Sequence, residues 1–343
     1  MTVKSNVRRE DGKKPSIDVI VNFVDEYEYV THAISSVHKS HNVDMRIILQ
    51  DDSGQDNSRF FSRHLRNHDL YSRSNRLGYI GALKAASEKK SSEFIGILNA
   101  DDITNSKRFY RQIVDLSTGD IDISIGSIKK FKLWHFIRVP SMANSLAIAD
   151  YCPHLLWLGP FGADATWVVR GETLDLIFDD GISNQTDWYL ALTKFSDFKV
   201  KLQKQAKYLY RQHSKQLTRK NMSNYTDELE VICSQVRLNL DLNYTPSQML
   251  PFSTPWLSYD NVDLQRVLNQ AEEIINHHNS ICSNQKAFQR QISRRVLIQI
   301  MTLPIRTRIQ FLLKYLALES RESFQFLIQL VISVALQSTR TNR

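Results

Sequence analysis

Glu93-Phe94-Ile95-Gly96-Ile97-Leu98-Asn99-Ala100-Asp101-Asp102 is the stretch on which the reading of this chain turns. From Phe94 to Leu98 every residue is apolar or glycine, the pattern of a short strand buried on both faces. The run stops at Asn99-Ala100-Asp101-Asp102. A buried strand that ends in two adjacent carboxylates delivers them to the carboxyl edge of a sheet, where open α/β folds bind ligands. Two anions so close repel unless a cation lies between them, and hard divalent ions prefer oxygen donors. A loop opening on an aspartate helix cap is the plainer alternative, and the flanking sequence has to decide.

Upstream, Ile17–Val24 (IDVIVNFV) has the β-branched, apolar character of a central strand. A helix is predicted over Tyr27–Lys39, with Val30, Ala33, Ile34 and Val37 on one face. Met45–Gln50 (MRIILQ) forms a second strand and ends in Asp51-Asp52-Ser53-Gly54. A polar turn leads to a helix around Arg59–Asn67, then a short strand at Asp69–Ser72. Asn75-Arg76-Leu77-Gly78 opens a helix carrying Ala82, Leu83, Ala85 and Ala86. Strands alternating with helices imply crossovers and a mostly parallel sheet. Two strands therefore end in Asp-Asp at one crevice, a far more specific pattern than either pair alone. No Gly-x-Gly-x-x-Gly follows the first strand and no Gly-x-x-x-x-Gly-Lys loop occurs, which removes the main support for dehydrogenase and P-loop readings.

Composition narrows the classes further. The 343 residues are 42% hydrophobic and 23% charged, the balance of a globular chain. Three widely spaced cysteines, Cys152, Cys233 and Cys282, argue against a disulfide framework or structural zinc and fit a reducing, cytoplasmic compartment. The polar start MTVKSNVRREDGKKP is expected to be a mobile lead-in over 1–16 and not a secretory signal. The net charge of +8 resides in the tail, where residues 284–343 hold ten Lys and Arg against two Glu. The remainder is neutral, which argues against a nucleic-acid partner.

IDVIVNFV, LQDDSGQDNS, SNRLGYIGALKAA and ILNADD, in that order and spacing, resemble the family 2 glycosyltransferases, which have the GT-A fold. The resemblance implies an α/β catalytic domain with a Rossmann-like, mostly parallel sheet flanked by helices. It also implies a nucleotide-diphosphate-sugar donor, inversion at the anomeric carbon, and a divalent ion, Mn2+ or Mg2+. By the same resemblance Asp51 and Asp52 contact the donor base, Asn75 and Arg76 lie near the donor, and Asn99 and Asp101 meet it at the second Asp-Asp. Asp101 and Asp102 hold the ion and diphosphate. Asn99 is a departure, since many members have aspartate there; it still hydrogen-bonds but adds no charge.

Beyond Ile121 the pattern ISIGSIKKFKLWHFIRV suggests edge strands, and Pro160–Arg170 reads as a glycine-bearing turn entering a strand, with a helix after Gly171. Trp167 in that strand either stacks on an acceptor sugar or fills core; Trp188 is a second acceptor candidate. Asn184-Gln185-Thr186-Asp187-Trp188 begins a helix. An aspartate there can simply complement the helix dipole, but the resemblance makes Asp187 the catalytic base, with Asp179 and Asp180 as alternatives. Such a base is needed because the attacking hydroxyl must lose its proton as the bond forms. Tyr210-Arg211-Gln212-His213 follows a strand. A lone histidine there is commonly structural, whereas the resemblance assigns His213 to the ion and Arg211 to the donor.

These matches end near Thr218, giving a catalytic domain over 17–220, divided into a donor half (17–118) and an acceptor half (119–220). A helical extension over 221–290 and a basic amphipathic tail over 291–343 complete the expected organisation. In the tail Ile305, Ile309, Leu312, Leu313 and Leu316 share one helical face, with Arg306 and Arg308 beside it. Such a helix lies on an anionic membrane surface or packs as a hairpin on protein or in an oligomer. Phe326–Leu336 falls short of the ~20 residues a spanning helix needs. The expected activity is sugar transfer to a glycan or lipid-linked acceptor, in bacterial surface polysaccharide synthesis. An inactive scaffold binding a glycan or partner synthase is the alternative. A nucleotidyltransferase would need a Gly-rich basic loop after the first strand, which Asn22–Glu28 lacks.

Overall fold

The computed structural model describes residues 14–25, 27–117, 121–131, 163–177, 198–211 and 213, with isolated positions at 234, 245 and 269. Its centre is an eight-stranded sheet in the order β3-β2-β1-β4-β7-β6-β8-β5. The decisive stretch forms β4 (Phe94–Asn99), with its first five residues buried. β1 (Ser16–Phe23) lies beside it in parallel register, so Val19 faces Gly96 and Asn22 faces Asn99. β2 (Asp44–Asp51) and β3 (Leu70–Arg73) extend the parallel half, with Phe23 opposite Asp51. The chain winds outward from β1 to β3 and returns on the other side of β1 to form β4. That reversal creates a crevice at the carboxyl ends of β1 and β4, the switch point where such sheets bind ligands.

The second half mixes directions. β7 (Trp167–Arg170) runs antiparallel to β4, and β6 (Ile123–Phe131) runs antiparallel to β7. β8 (Val200–Arg211) is parallel to β6, and the two-residue β5 (Ile103–Thr104) is antiparallel to β8. The expected mostly parallel sheet flanked by helices is therefore present.

Apolar runs explain the central strands: Ile17, Val19, Ile20 and Val21 of β1 and Ile47, Ile48 and Leu49 of β2 are fully buried. α1 (Tyr27–His38) presents Val30, Ala33, Ile34 and Val37 to the core, as its spacing predicted. α3 (Gly78–Ser87) covers β1 and β2, and α5 (Gly171–Ile177) packs on β7 and β4. α4 (Arg108–Ser117) lies over β6, β7 and β8. Phe109 of α4 sits so close to β4 that a Cβ at Gly96 would be 2.7 Å from its ring. Only glycine lets that helix approach the strand.

The structure differs from the sequence reading at two elements. The helix expected over 59–67 shrinks to α2 (Ser58–Phe61). Asn57 spends its amide on Asp51 and Ser53 instead of capping, and the chain turns again where the Arg66 amide donates to Asp69. Local side-chain bonds of this kind compete with helix. α4 was not anticipated, because Arg108, Gln112 and Asp115 share its buried face with Phe109, Ile113 and Leu116. Asp187, Trp188, Asp179 and Asp180 lie outside the described residues, as do the basic tail and, apart from 234, 245 and 269, the 221–290 extension. Among the described residues no helix is long and apolar enough to cross a membrane.

Candidate active site

β4 ends in a turn closed by the Asp102 amide donating to the Asn99 carbonyl at 3.1 Å. The turn separates the two carboxylates. Asp102 is fully buried: its Oδ1 accepts the Arg211 backbone N–H at 2.6 Å, and its Oδ2 accepts the Tyr208 hydroxyl. Burial pushes its pKa well above the ordinary carboxylate value, and Asp101's charge adds to this against the opposing Tyr208 and Arg211 bonds. The same burial and the neighbouring carboxylates push the Tyr208 phenol up.

Asp101 is different. Its side chain keeps 19% of its surface exposed, and its Oδ2 lies 3.0 Å from His213 Nε2. The β5–β8 register pairs Ile103 with Leu209 and Thr104 with Tyr208, and continuing it brings Arg211 opposite Asp101. The Arg211 Nε then donates to the Asp101 carbonyl at 2.7 Å. Tyr29, in the first turn of α1, completes the group. Its ring centroid is 4.8 Å from that of His213, and the Arg211 guanidinium carbon lies 4.8 Å from it on the ring face. Three distant segments thus converge on one carboxylate, one imidazole and one guanidinium held against an aromatic face.

An oxygen donor and an imidazole fit a divalent ion whose remaining positions would come from diphosphate oxygens and water. Among the described residues no cluster of three acidic, histidine or cysteine side chains forms. Asp102, expected beside Asp101 as a ligand, is fully buried, and each of its oxygens accepts a hydrogen bond within the fold.

The other Asp-Asp pair is also turned inward. Asp51, fully buried, accepts from the Ser53 amide at 2.9 Å, the Asn57 amide group at 2.8 Å and the Tyr71 hydroxyl at 2.6 Å. Burial and this bond to Asp51 raise the Tyr71 phenol. Asp52, 1% exposed, accepts the Ser74 hydroxyl at 2.5 Å and the Leu77 and Gly78 backbone N–H groups at 2.8 and 2.9 Å. As placed, these two carboxylates shape the donor-side loops through bonds to Ser53, Asn57, Tyr71, Ser74, Leu77 and Gly78. Asp52 secures the start of α3, where Arg76 and Gly78 both have positive φ, 52° and 77°. Asn75 and Arg76 remain exposed on that loop. Its approach to the β2 loop needs Gly54, at φ 80°, where a Cβ would fall 2.9 Å from Asn75 Oδ1.

Asn99 is half-buried at the crevice floor and accepts the Tyr79 hydroxyl at 3.2 Å. Asn22, its neighbour across β1 and β4, donates to the Tyr79 carbonyl at 3.4 Å. Asp164 also bonds Tyr79 and the Ala165 amide; burial outweighs both and raises its pKa. Trp167, a candidate for acceptor stacking, is 1% exposed and fills core between β4 and β6. That corrects its assignment.

Sequence reasoning missed Tyr29, Tyr79, Tyr208 and Asp164. Tyrosines in amphipathic segments look like packing residues, and only the register of β5 on β8 reveals what Tyr208 touches.

Residues 18–144 match the family model described as Glycosyl transferase family 2. No curated protein sequence matches the chain significantly. Among solved structures, S. aureus TarS 1–349 in complex with UDP-GlcNAc is similar over 85% of this chain and 82% of that one, at 13% identity and a TM-score of 0.50. The same TarS fragment with UDP covers the same shares at 13% identity and a TM-score of 0.49. At such identity the likeness concerns the fold.

Proposed function

We propose, from the match of residues 18–144 to the Glycosyl transferase family 2 model, that this chain transfers a sugar from a nucleotide-diphosphate donor to a glycan or lipid-linked acceptor, with inversion. Bacterial surface polysaccharide synthesis is the setting proposed. The observation that carries this reading is the convergence of Asp101, His213, Arg211 and Tyr29 at the carboxyl end of β4. Asn75 and Arg76 flank the donor on one side, and Asn99 offers an amide from the crevice floor. A divalent ion, Mn2+ or Mg2+, would supply charge stabilisation to the departing diphosphate when bound. Asp101 and His213 would hold it, and Arg211 would pair with a phosphate oxygen. The acceptor hydroxyl attacks the anomeric carbon from the opposite face and passes its proton to Asp187. Trp188, beside that base, is assigned to the acceptor.

The test is a panel of nucleotide sugars, UDP-GlcNAc first because the TarS fragment binds it, each with and without Mn2+. Thermal stabilisation and slow donor hydrolysis should appear with at least one donor and depend on the ion. Asp187→Asn should keep donor binding and lose about a hundredfold in transfer. A chain unresponsive to every donor would favour the inactive-scaffold reading, and full transfer by Asp187→Asn would remove the base assignment.

We also assign the 291–343 tail to an anionic membrane surface at the cytoplasmic face, since its sequence sets Arg306 and Arg308 beside apolar residues that recur at helical spacing. Each basic residue near such a surface contributes about 1 kcal/mol. Arg306→Glu with Arg308→Glu should therefore cut co-flotation with phosphatidylserine vesicles by at least ~10-fold. Equal flotation of both proteins would favour packing of the tail on protein.

A further inference from the structure

We propose that Asp102 is a positioning residue for the ion-diphosphate site, acting through Tyr208 and the end of β8, and not a ligand; this rests on the function proposed above. The adjacency of Asp101 and Asp102 suggests a shared grip, but the structure divides them. One Asp102 oxygen is taken by the Arg211 N–H at 2.6 Å and the other by the Tyr208 hydroxyl. The side chain is fully buried, as is that of Tyr208 to within 1%. With one bond to each oxygen and no exposed surface, Asp102 offers the crevice no open carboxylate edge, unlike Asp101 with 19% of its side chain exposed.

What those bonds accomplish is visible in their neighbours. Arg211 and His213 lie at and beyond the last residue of β8, where strand pairing alone no longer fixes side-chain direction. β5, which could restrain them, pairs at only two positions, Ile103 with Leu209 and Thr104 with Tyr208. Asp102 adds a bond on each side of Leu209 and so fixes the separation of the β4 turn from β8. With that distance fixed, Arg211 Nε reaches the Asp101 carbonyl and His213 Nε2 reaches the Asp101 carboxylate. Residues behind the ligands of a metal site commonly set its affinity in this way.

Direct and indirect roles give different results. Mn2+ would be titrated into the full-length chain with UDP present, and the free ion read by electron paramagnetic resonance. Asp101→Asn should abolish measurable binding. Asp102→Asn and Tyr208→Phe should each weaken it about 10- to 100-fold. The double variant should be no weaker than the worse single, because both changes break one link. If Asp102→Asn abolished binding while Tyr208→Phe left it unchanged, Asp102 would be a ligand and the proposal overturned. Unchanged affinity in both would also overturn it. Tyr208→Phe loses a single oxygen and carries the test should Asp102→Asn not fold. Absence of Mn2+ binding by the unaltered chain would overturn the ion reading first, and this inference with it.

Discussion

Asp101→Asn should slow sugar transfer by about a thousandfold while leaving the folded chain almost as stable as before. The expectation follows from its contrast with Asp102. Asp101 keeps part of its carboxylate open, contacts His213 at 3.0 Å, and has its own carbonyl held by Arg211. An asparagine is nearly isosteric and can still accept from His213, so little packing changes. Because the asparagine keeps a hydrogen-bond acceptor opposite His213, the change should cost only about 1 kcal/mol of stability. Loss of the negative charge would remove the stronger of the two donors proposed for the ion. Charge stabilisation of a leaving diphosphate is worth several kcal/mol. Taking ~4 kcal/mol at about 1.4 kcal/mol per decade gives roughly three orders of magnitude. Transfer rates at saturating donor, with melting temperatures alongside, would check this. A variant that melted normally and worked within tenfold of the original would show that Asp101 does not hold the ion.

How far such roles could be seen in advance depended on what kind of signal each residue leaves. β4 and β1 were legible because strands buried on both faces need unbroken apolar runs, and that constraint is written in order along the chain. Asp101 and His213 stood out by residue type at the expected ends of strands. The division of labour within each Asp-Asp pair left no such trace. In sequence Asp51 and Asp52 look like contacts to the donor base and Asp102 like a ligand to the ion, yet each is buried and accepts hydrogen bonds within the fold. Which carboxylate faces inward is set by turns and by β5–β8 register, both long-range facts. Tyr29 was unreadable for the same reason: it became part of the site only once β8 ended beside α1. α4 hid differently, behind polar residues on its inner face.

One of those polar residues should prove among the most costly to remove. Arg108→Ala is expected to lower the unfolding free energy by ~4 kcal/mol, within the range for breaking a buried charged network. β4 pairs with β7 only as far as Gly96 opposite Val168. Past that point the carbonyls of Ile97, Ala165 and Trp167 lie around a buried gap, and a buried carbonyl needs a donor. Arg108 provides it: its Nη2 donates to Ile97 at 3.1 Å, Ala165 at 2.8 Å and Trp167 at 3.5 Å, while Nε donates to Gln112 at 3.0 Å. Gln112, one helical turn on, donates to the Ser124 and Thr166 carbonyls at 2.6 and 2.9 Å. Together they tie α4 to β4, β6 and β7 where the sheet splits. The guanidinium is completely buried between the Phe109 and Tyr208 rings, at 4.7 and 5.1 Å from their centroids. Burial lowers its pKa to about 10, with Tyr208 and Asp102 opposing that shift, so it stays charged at neutral pH. Arg108→Met fills most of the volume but still leaves the carbonyls unmet, and should cost about half as much, since each lost buried partner is worth ~1–3 kcal/mol. Denaturant unfolding of the three proteins would give the order directly. A loss below ~1 kcal/mol in Arg108→Ala would mean that water enters and satisfies the gap. The guanidinium that closes this gap packs on the Tyr208 ring, whose hydroxyl donates to Asp102, so the loss would be felt directly behind the candidate site.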